Sequence, residues 1–186
     1  MKARHLKTIF ACAAVGVSLA ACGAGTDTHF GDNEGIYVHV GSLTYQVQIS
    51  RQLNPYSTED SNYIAGVSAK EAQLTPTQQW FGVFMLVMNN GKKAATAADE
   101  YYITDTENDV YTPIGITGPN VFAYHPALIA PGSQLPLPGS PAADGPTAGE
   151  ELLFKIPYST DDNRPWDLHI VNSADPAQRA IVVLDV

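Results

Sequence analysis

Leu43-Thr44-Tyr45-Gln46-Val47-Gln48-Ile49-Ser50 alternates apolar and polar residues without a break. A period of two sends Leu43, Tyr45, Val47 and Ile49 to one face and Thr44, Gln46, Gln48 and Ser50 to the other. That is the pattern of a half-buried antiparallel strand. Upstream, Ile36, Val38 and Val40 alternate with Tyr37 and His39 across Gly41-Ser42. Downstream, Trp80 to Met88 is apolar at almost every position and predicts a central strand covered on both faces. It ends in Asn89-Asn90-Gly91, residues that tolerate positive φ in a turn.

The rest of the chain repeats this theme. Glu100–Thr104 and Val110–Pro113 flank Asp105-Thr106-Glu107-Asn108-Asp109 and predict a hairpin with an acidic, solvent-facing tip. Val121–Tyr124 predicts a further short strand. In Glu151–Ile156, Leu152, Phe154 and Ile156 point inward; in Trp166–Ile170, Trp166, Leu168 and Ile170 do. Ala180–Val186 closes the chain with a β-branched run. Leu53–Gln79 has no sustained period and reads mostly as loop, with at most a helical turn at Ala69–Ala72. Pro126–Gly149 carries six prolines and reads as a long loop with at most an edge strand. Many short strands, punctuated by Pro, Gly and Asn, predict an all-β antiparallel sandwich.

The first residues follow a different logic. Lys2, Arg4 and Lys7 precede an uncharged apolar run from Thr8 to Leu19, the basic and hydrophobic regions of a secretory signal. The run is shorter than the ~20 residues of a membrane-spanning helix. Leu19-Ala20-Ala21-Cys22 then resembles the lipobox of bacterial lipoproteins. The resemblance implies cleavage before Cys22 and a diacylglycerol thioether on its sulfur. Two acyl chains hold a protein stably on a membrane where one does not. Cys12 leaves with residues 1–21, so Cys22 is otherwise a lone thiol in an exported protein, which calls for such an explanation. Gly23 to Gly35 is small and polar, so residues 22–35 read as lipidated cysteine and flexible tether, and 36–186 as the domain.

Removing residues 1–21 takes away three basic residues and no acid. Seven basic residues remain against nineteen acidic ones, a balance of −12 where the full chain has −9. Such a surface repels nucleic acid, so no nucleic-acid partner is expected.

Three segments resemble the Ig-like domain of unknown function found in secreted bacterial lipoproteins. They are Phe81–Gly91, Tyr101–Asp105 with Asn108–Pro113, and Leu152–Pro157. The resemblance implies an immunoglobulin-like sandwich, and it brings no functional residues with it.

No catalytic signature is present. Gly-x-Ser-x-Gly is absent, and Gly66-Val67-Ser68-Ala69-Lys70 fails at its last position. No His-Glu-x-x-His string occurs. Asp105, Glu107 and Asp109 alternate as in a calcium loop, but the sixth and twelfth positions, Val110 and Ile116, are wrong for an EF-hand. His29 falls in the tether; His39 and His169 fall on polar strand faces, and His125 beside the proline-rich loop. Trp80, Trp166 and Phe154 are expected in the core, and Phe122 and Tyr124 are the candidates for exposed aromatics. The expected function is a lipid-anchored, extracytoplasmic binding or accessory module of the cell envelope. It would have no enzymatic activity and no cofactor or metal, its partners being the membrane, through Cys22, and an envelope protein or surface partner. The alternative is a copper-handling protein using His39, His169 and Met85 or Met88.

Overall fold

Residues 26–186 are described by a computed structural model, so Cys22 and the signal region lie outside them. In chain order the elements are β1 (Asp27–Gly31), β2 (Tyr37–Val40), β3 (Leu43–Leu53), α1 (Thr58–Ile64), β4 (Gln78–Met88), β5 (Ala95–Thr96), β6 (Glu100–Thr104), β7 (Val110–Tyr111), β8 (Leu128–Ile129), β9 (Gln134–Leu135), α2 (Pro141–Asp144), β10 (Glu150–Pro157), β11 (Trp166–Val171) and β12 (Gln178–Leu184). One sheet runs β1-β12-β11-β6-β7 and the other β10-β4-β3-β2, with β9 on the end of β4. Taking β3, β4 and β10 as A, B and E, and β6, β7, β11 and β12 as C, C′, F and G, the order is that of an immunoglobulin-like sandwich. All pairings within these sheets are antiparallel except β1 with β12.

The inner faces meet in one core. Tyr45, Val47, Phe81, Val83, Met85 and Phe154 from one sheet pack on Ile103, Trp166, Leu168, Ile170 and Val182 from the other. Trp166 anchors it: its ring stands edge-on to Phe81 at 5.0 Å, and its Nε1–H donates to Thr160 O at 2.9 Å. Burying both the ring and its polar handle is the usual condition for a core indole.

Four sequence expectations are corrected. Ile49 is exposed, because a β-bulge between Val47 and Ile49 lets one extra residue into β3 and reverses its alternation. Residues 27–35 are not a tether. Asp27–Gly31 pairs in parallel with β12, and the Glu34 carboxylate accepts from the backbone N–H of Ser50 at 3.0 Å and of Asp185 at 3.1 Å. Leu53–Gln79 contains a helix, α1, capped by Ser57; the single turn expected at Ala69–Ala72 does form, closed by Ala72 N–H donating to Ser68 O at 2.8 Å. Val121–Tyr124 is no strand: Ala123 makes a single parallel bridge to Glu151.

Candidate functional site

The second layer of the molecule is built on the outer face of β10-β4-β3. The alternation that sends Leu152 and Phe154 inward sends Glu151 and Leu153 outward, beside Trp80 and Phe84 of β4 and Leu53 of β3. This outer face is not bare. Tyr63 of α1 closes over it with its ring edge-on to both Phe84 and Phe122, at 4.9 Å each. Ile114, Ile116 and Phe122 from the loop after β7 complete the cluster. Trp80 is therefore buried as expected, but in this second cluster. Phe122 packs rather than projecting into solvent.

Glu151 is enclosed by that cover. Its side chain is 2% exposed, and neither carboxyl oxygen has a hydrogen-bond partner. Gly82 supplies its space: a Cβ there would sit 3.0 Å from Glu151 Oε1 and 3.2 Å from a Leu53 methyl. Arg51, the neighbouring cation, is already engaged by Asp60 at 2.7 Å and Glu59 at 3.2 Å. Burial therefore dominates and pushes the Glu151 carboxyl up to about 9, with Arg51 opposing and Asp60 reinforcing the rise. Glu150, on the inner side of the same strand, is pushed up to about 7 by burial, against a backbone hydrogen bond from His125.

A cavity of about 390 Å³ opens along the edge of β10 away from β4. Its walls are Pro113–Ile116 and Ala123–Pro126, and Asp99–Tyr101 and Glu151–Leu153 complete the lining. Backbone bonds hold both walls to β10: Ile114 N–H donates to Leu153 O at 2.7 Å, and Tyr124 N–H to Glu151 O at 2.8 Å. At the base lies a tyrosine cluster. Tyr101 donates to the Tyr124 hydroxyl at 2.7 Å, Tyr124 donates to Ala98 O at 2.7 Å, and the Tyr45 hydroxyl accepts from Ala98 N–H at 2.7 Å. Tyr124, expected to be exposed, is buried by this network. Burial pushes Tyr45 up to about 12 and raises Tyr101 and Tyr124 further. These phenols stay protonated at neutral pH, and Tyr101 and Tyr124 spend their single protons inside the cluster, so they brace the site and supply no nucleophile. Asp99 is held by the Ser173 hydroxyl and N–H, which lower its carboxyl below the ordinary range. The arrangement suits recognition of a polar or cationic group against aromatic and proline walls.

Asp105 is not part of a solvent-facing acidic tip. It is buried and accepts from Glu107 and Asp109 N–H at 3.0 Å each and from the Tyr111 hydroxyl at 3.1 Å. Burial works to raise this carboxyl, but the hydrogen bonds together with one from Asn163 outweigh it and the net shift is downward. Asp105 organises the β6–β7 turn, and Glu107 and Asp109 remain outside.

The histidines divide between surfaces. His169 points away from the core that Leu168 and Ile170 face. It stacks on Tyr102 at 4.3 Å, and its Nε2 meets Thr104 Oγ1 at 2.9 Å. His39 belongs to β2 in the other sheet, where Val38 and Val40 fill the core. The structure therefore does not bring His39 and His169 together, and Met85 is sealed in the core. Among the described residues no group of three or more His, Cys, Asp or Glu side chains is placed to hold a metal ion.

No family model matches the chain, and no curated protein does. Solved structures do. The yjhA protein from Bacillus subtilis superposes with a TM-score of 0.51 at 10% identity, over 83% of this chain and 99% of that one. A functionally unknown protein from Listeria monocytogenes gives 0.47 at 13% identity, over 83% and 82%. An uncharacterized beta-sandwich protein from Clostridium difficile gives 0.41 at 9% identity, over 83% and 95%. The first likeness is one of fold: the sandwich accounts for nearly the whole of that chain.

Proposed function

We propose that this protein is a non-catalytic binding module of the cell envelope, exported and held on a membrane by lipid on Cys22. The observation that carries the binding role is the cavity at the β10 edge. It is a preformed concavity, pinned to the sheet by backbone hydrogen bonds and floored by neutral tyrosines. Of the polar side chains on its lining, exposed Glu100 and His125 are the ones a ligand or partner would contact. The support for the anchor is the Leu19-Ala20-Ala21-Cys22 string and the basic-apolar run before it.

Two measurements test the two halves. Cells grown with a fatty-acid analogue should label the wild-type protein and leave Cys22→Ser unlabelled; equal label removes the anchor. For the cavity, a photo-crosslinking residue at Gly115 stands on the rim, where an added Cβ meets nothing within 4 Å. It should yield a discrete adduct on intact cells that the same residue at exposed Thr106 does not. Identical adduct patterns from the two positions would dismiss the cavity as the recognition site.

A further inference from the structure

Strand β1 has a chemical consequence. Its parallel pairing sets His29 opposite Ala180, a buried residue, so His29 lies on the inner side of its sheet, the face opposite His169. There, at the sandwich edge, it meets His39 of β2. The two imidazole centroids are 5.4 Å apart, and the planes are inclined at 80°. Two imidazoles on neighbouring positions of one ion, with metal–nitrogen bonds of about 2.0–2.1 Å, place their centroids about 4.5 Å apart at the ~90° angle of a tetragonal ion such as Cu²⁺ and about 5 Å apart at the tetrahedral angle of Zn²⁺. At 5.4 Å the pair stands within about 1 Å of either spacing, so a small closure of two surface rings brings them onto one ion.

Each ring also has one nitrogen occupied and one available. His39 Nδ1 is 3.2 Å from Thr44 Oγ1, which leaves Nε2. His29 Nε2 faces Asp27 Oδ1 at 3.5 Å, a contact longer than a hydrogen bond that a small side-chain turn closes, which leaves Nδ1. An outer partner on the non-ligating nitrogen is what fixes tautomer and ring direction in metal-binding histidines. Asp27 reaches His29 because residues two apart on a strand share a side.

We propose that His29 and His39 form a two-imidazole site for a divalent late transition-metal ion, Cu²⁺ before Zn²⁺, with water completing the coordination. Thr44 is a positioning residue for His39, and Asp27 for His29. Imidazole nitrogen selects copper and zinc over calcium and magnesium, and the ordering of divalent ions places Cu²⁺ above Zn²⁺ at a nitrogen site. The site is independent of the binding-module reading and of any ligand in the β10-edge cavity.

The test is calorimetric titration of the protein purified from membranes, with any free thiol blocked, with Cu²⁺, Zn²⁺ and Ca²⁺ at physiological salt, with electron paramagnetic resonance of the Cu²⁺ form. One Cu²⁺ per chain is expected, with coupling to two nitrogens and no comparable Ca²⁺ isotherm. His29→Gln and His39→Gln should each cost at least tenfold in affinity and remove one nitrogen coupling. Both rings lie at the surface, so these variants keep the fold, which circular dichroism checks. Thr44→Val should weaken binding about tenfold, the usual effect of losing an outer partner. His125→Gln and His169→Gln should change nothing. Unchanged Cu²⁺ affinity in the His29/His39 double variant, or no Cu²⁺ binding beyond that of Ca²⁺, overturns the proposal.

Discussion

Replacing Glu151 by Gln should stabilise the protein, and by an amount that depends on pH. In the unfolded chain the carboxyl has its ordinary value of 4.5, whereas burial holds it near 9 in the fold. Between these values the unfolded state releases a proton that the folded state keeps. Stability is therefore unaffected below pH 4.5, falls as pH rises from there, and levels off above about 9. Each pH unit in that window is worth about 1.4 kcal/mol, so holding the proton at pH 7 costs about 3 kcal/mol. Gln occupies the same space over Gly82 with no charge to lose. Urea unfolding of both proteins at pH 5, 7 and 8.5 measures the difference. It should be under about 1 kcal/mol at pH 5, about 3 at pH 7, and larger again at pH 8.5. Glu150, raised to about 7 in both proteins, gives a shared slope that cancels in the comparison. Parallel stability curves, or a variant less stable throughout, would refute the reasoning: the carboxyl would then be ionised and paired in the fold, with Arg51 its natural partner.

Trp166→Ala should cost about 3–5 kcal/mol in denaturant unfolding, since it empties the core beside Phe81 and strands Thr160 O; a loss under about 1 kcal/mol would contradict its burial. Asp105→Ala should cost about 1–3 kcal/mol by leaving the donors of the β6–β7 turn unsatisfied. Because the Asp105 carboxyl is lowered in the fold, its contribution is present above the unfolded value and lost on acidification, so wild type and variant should converge in stability as pH falls below about 4. Equal losses at pH 7 and pH 3 would show that the carboxylate charge is not what the turn uses.

Much of the sandwich is legible residue by residue. The alternations around Tyr45, Phe154 and Trp166 name core positions correctly because each strand has one face on the common core. The unbroken apolar run of β4 likewise reports a strand covered on both sides. Ile49 escapes this reading because a bulge inserts a residue without any compositional mark. α1 escapes it because seven residues are too short for a helical period to emerge, and its Tyr63 has meaning only against Phe84 on another strand. Glu151 looks like an ordinary outward residue of β10, since alternation says which face a residue takes and not whether that face is later covered.

Local pattern alone determines the strand-rich class, the acidic surface, and the basic-apolar-Cys22 string at the start of the chain. These depend on neighbours in sequence and on composition. The second apolar cluster, the tyrosine-floored cavity and the meeting of His29 with His39 belong to tertiary structure alone. Asp27–Gly31 is short and polar, with nothing in its sequence to distinguish it from a linker. It becomes a strand because the edge of β12 offers it unpaired backbone hydrogen bonds, and a partner more than a hundred residues away in sequence leaves no local trace.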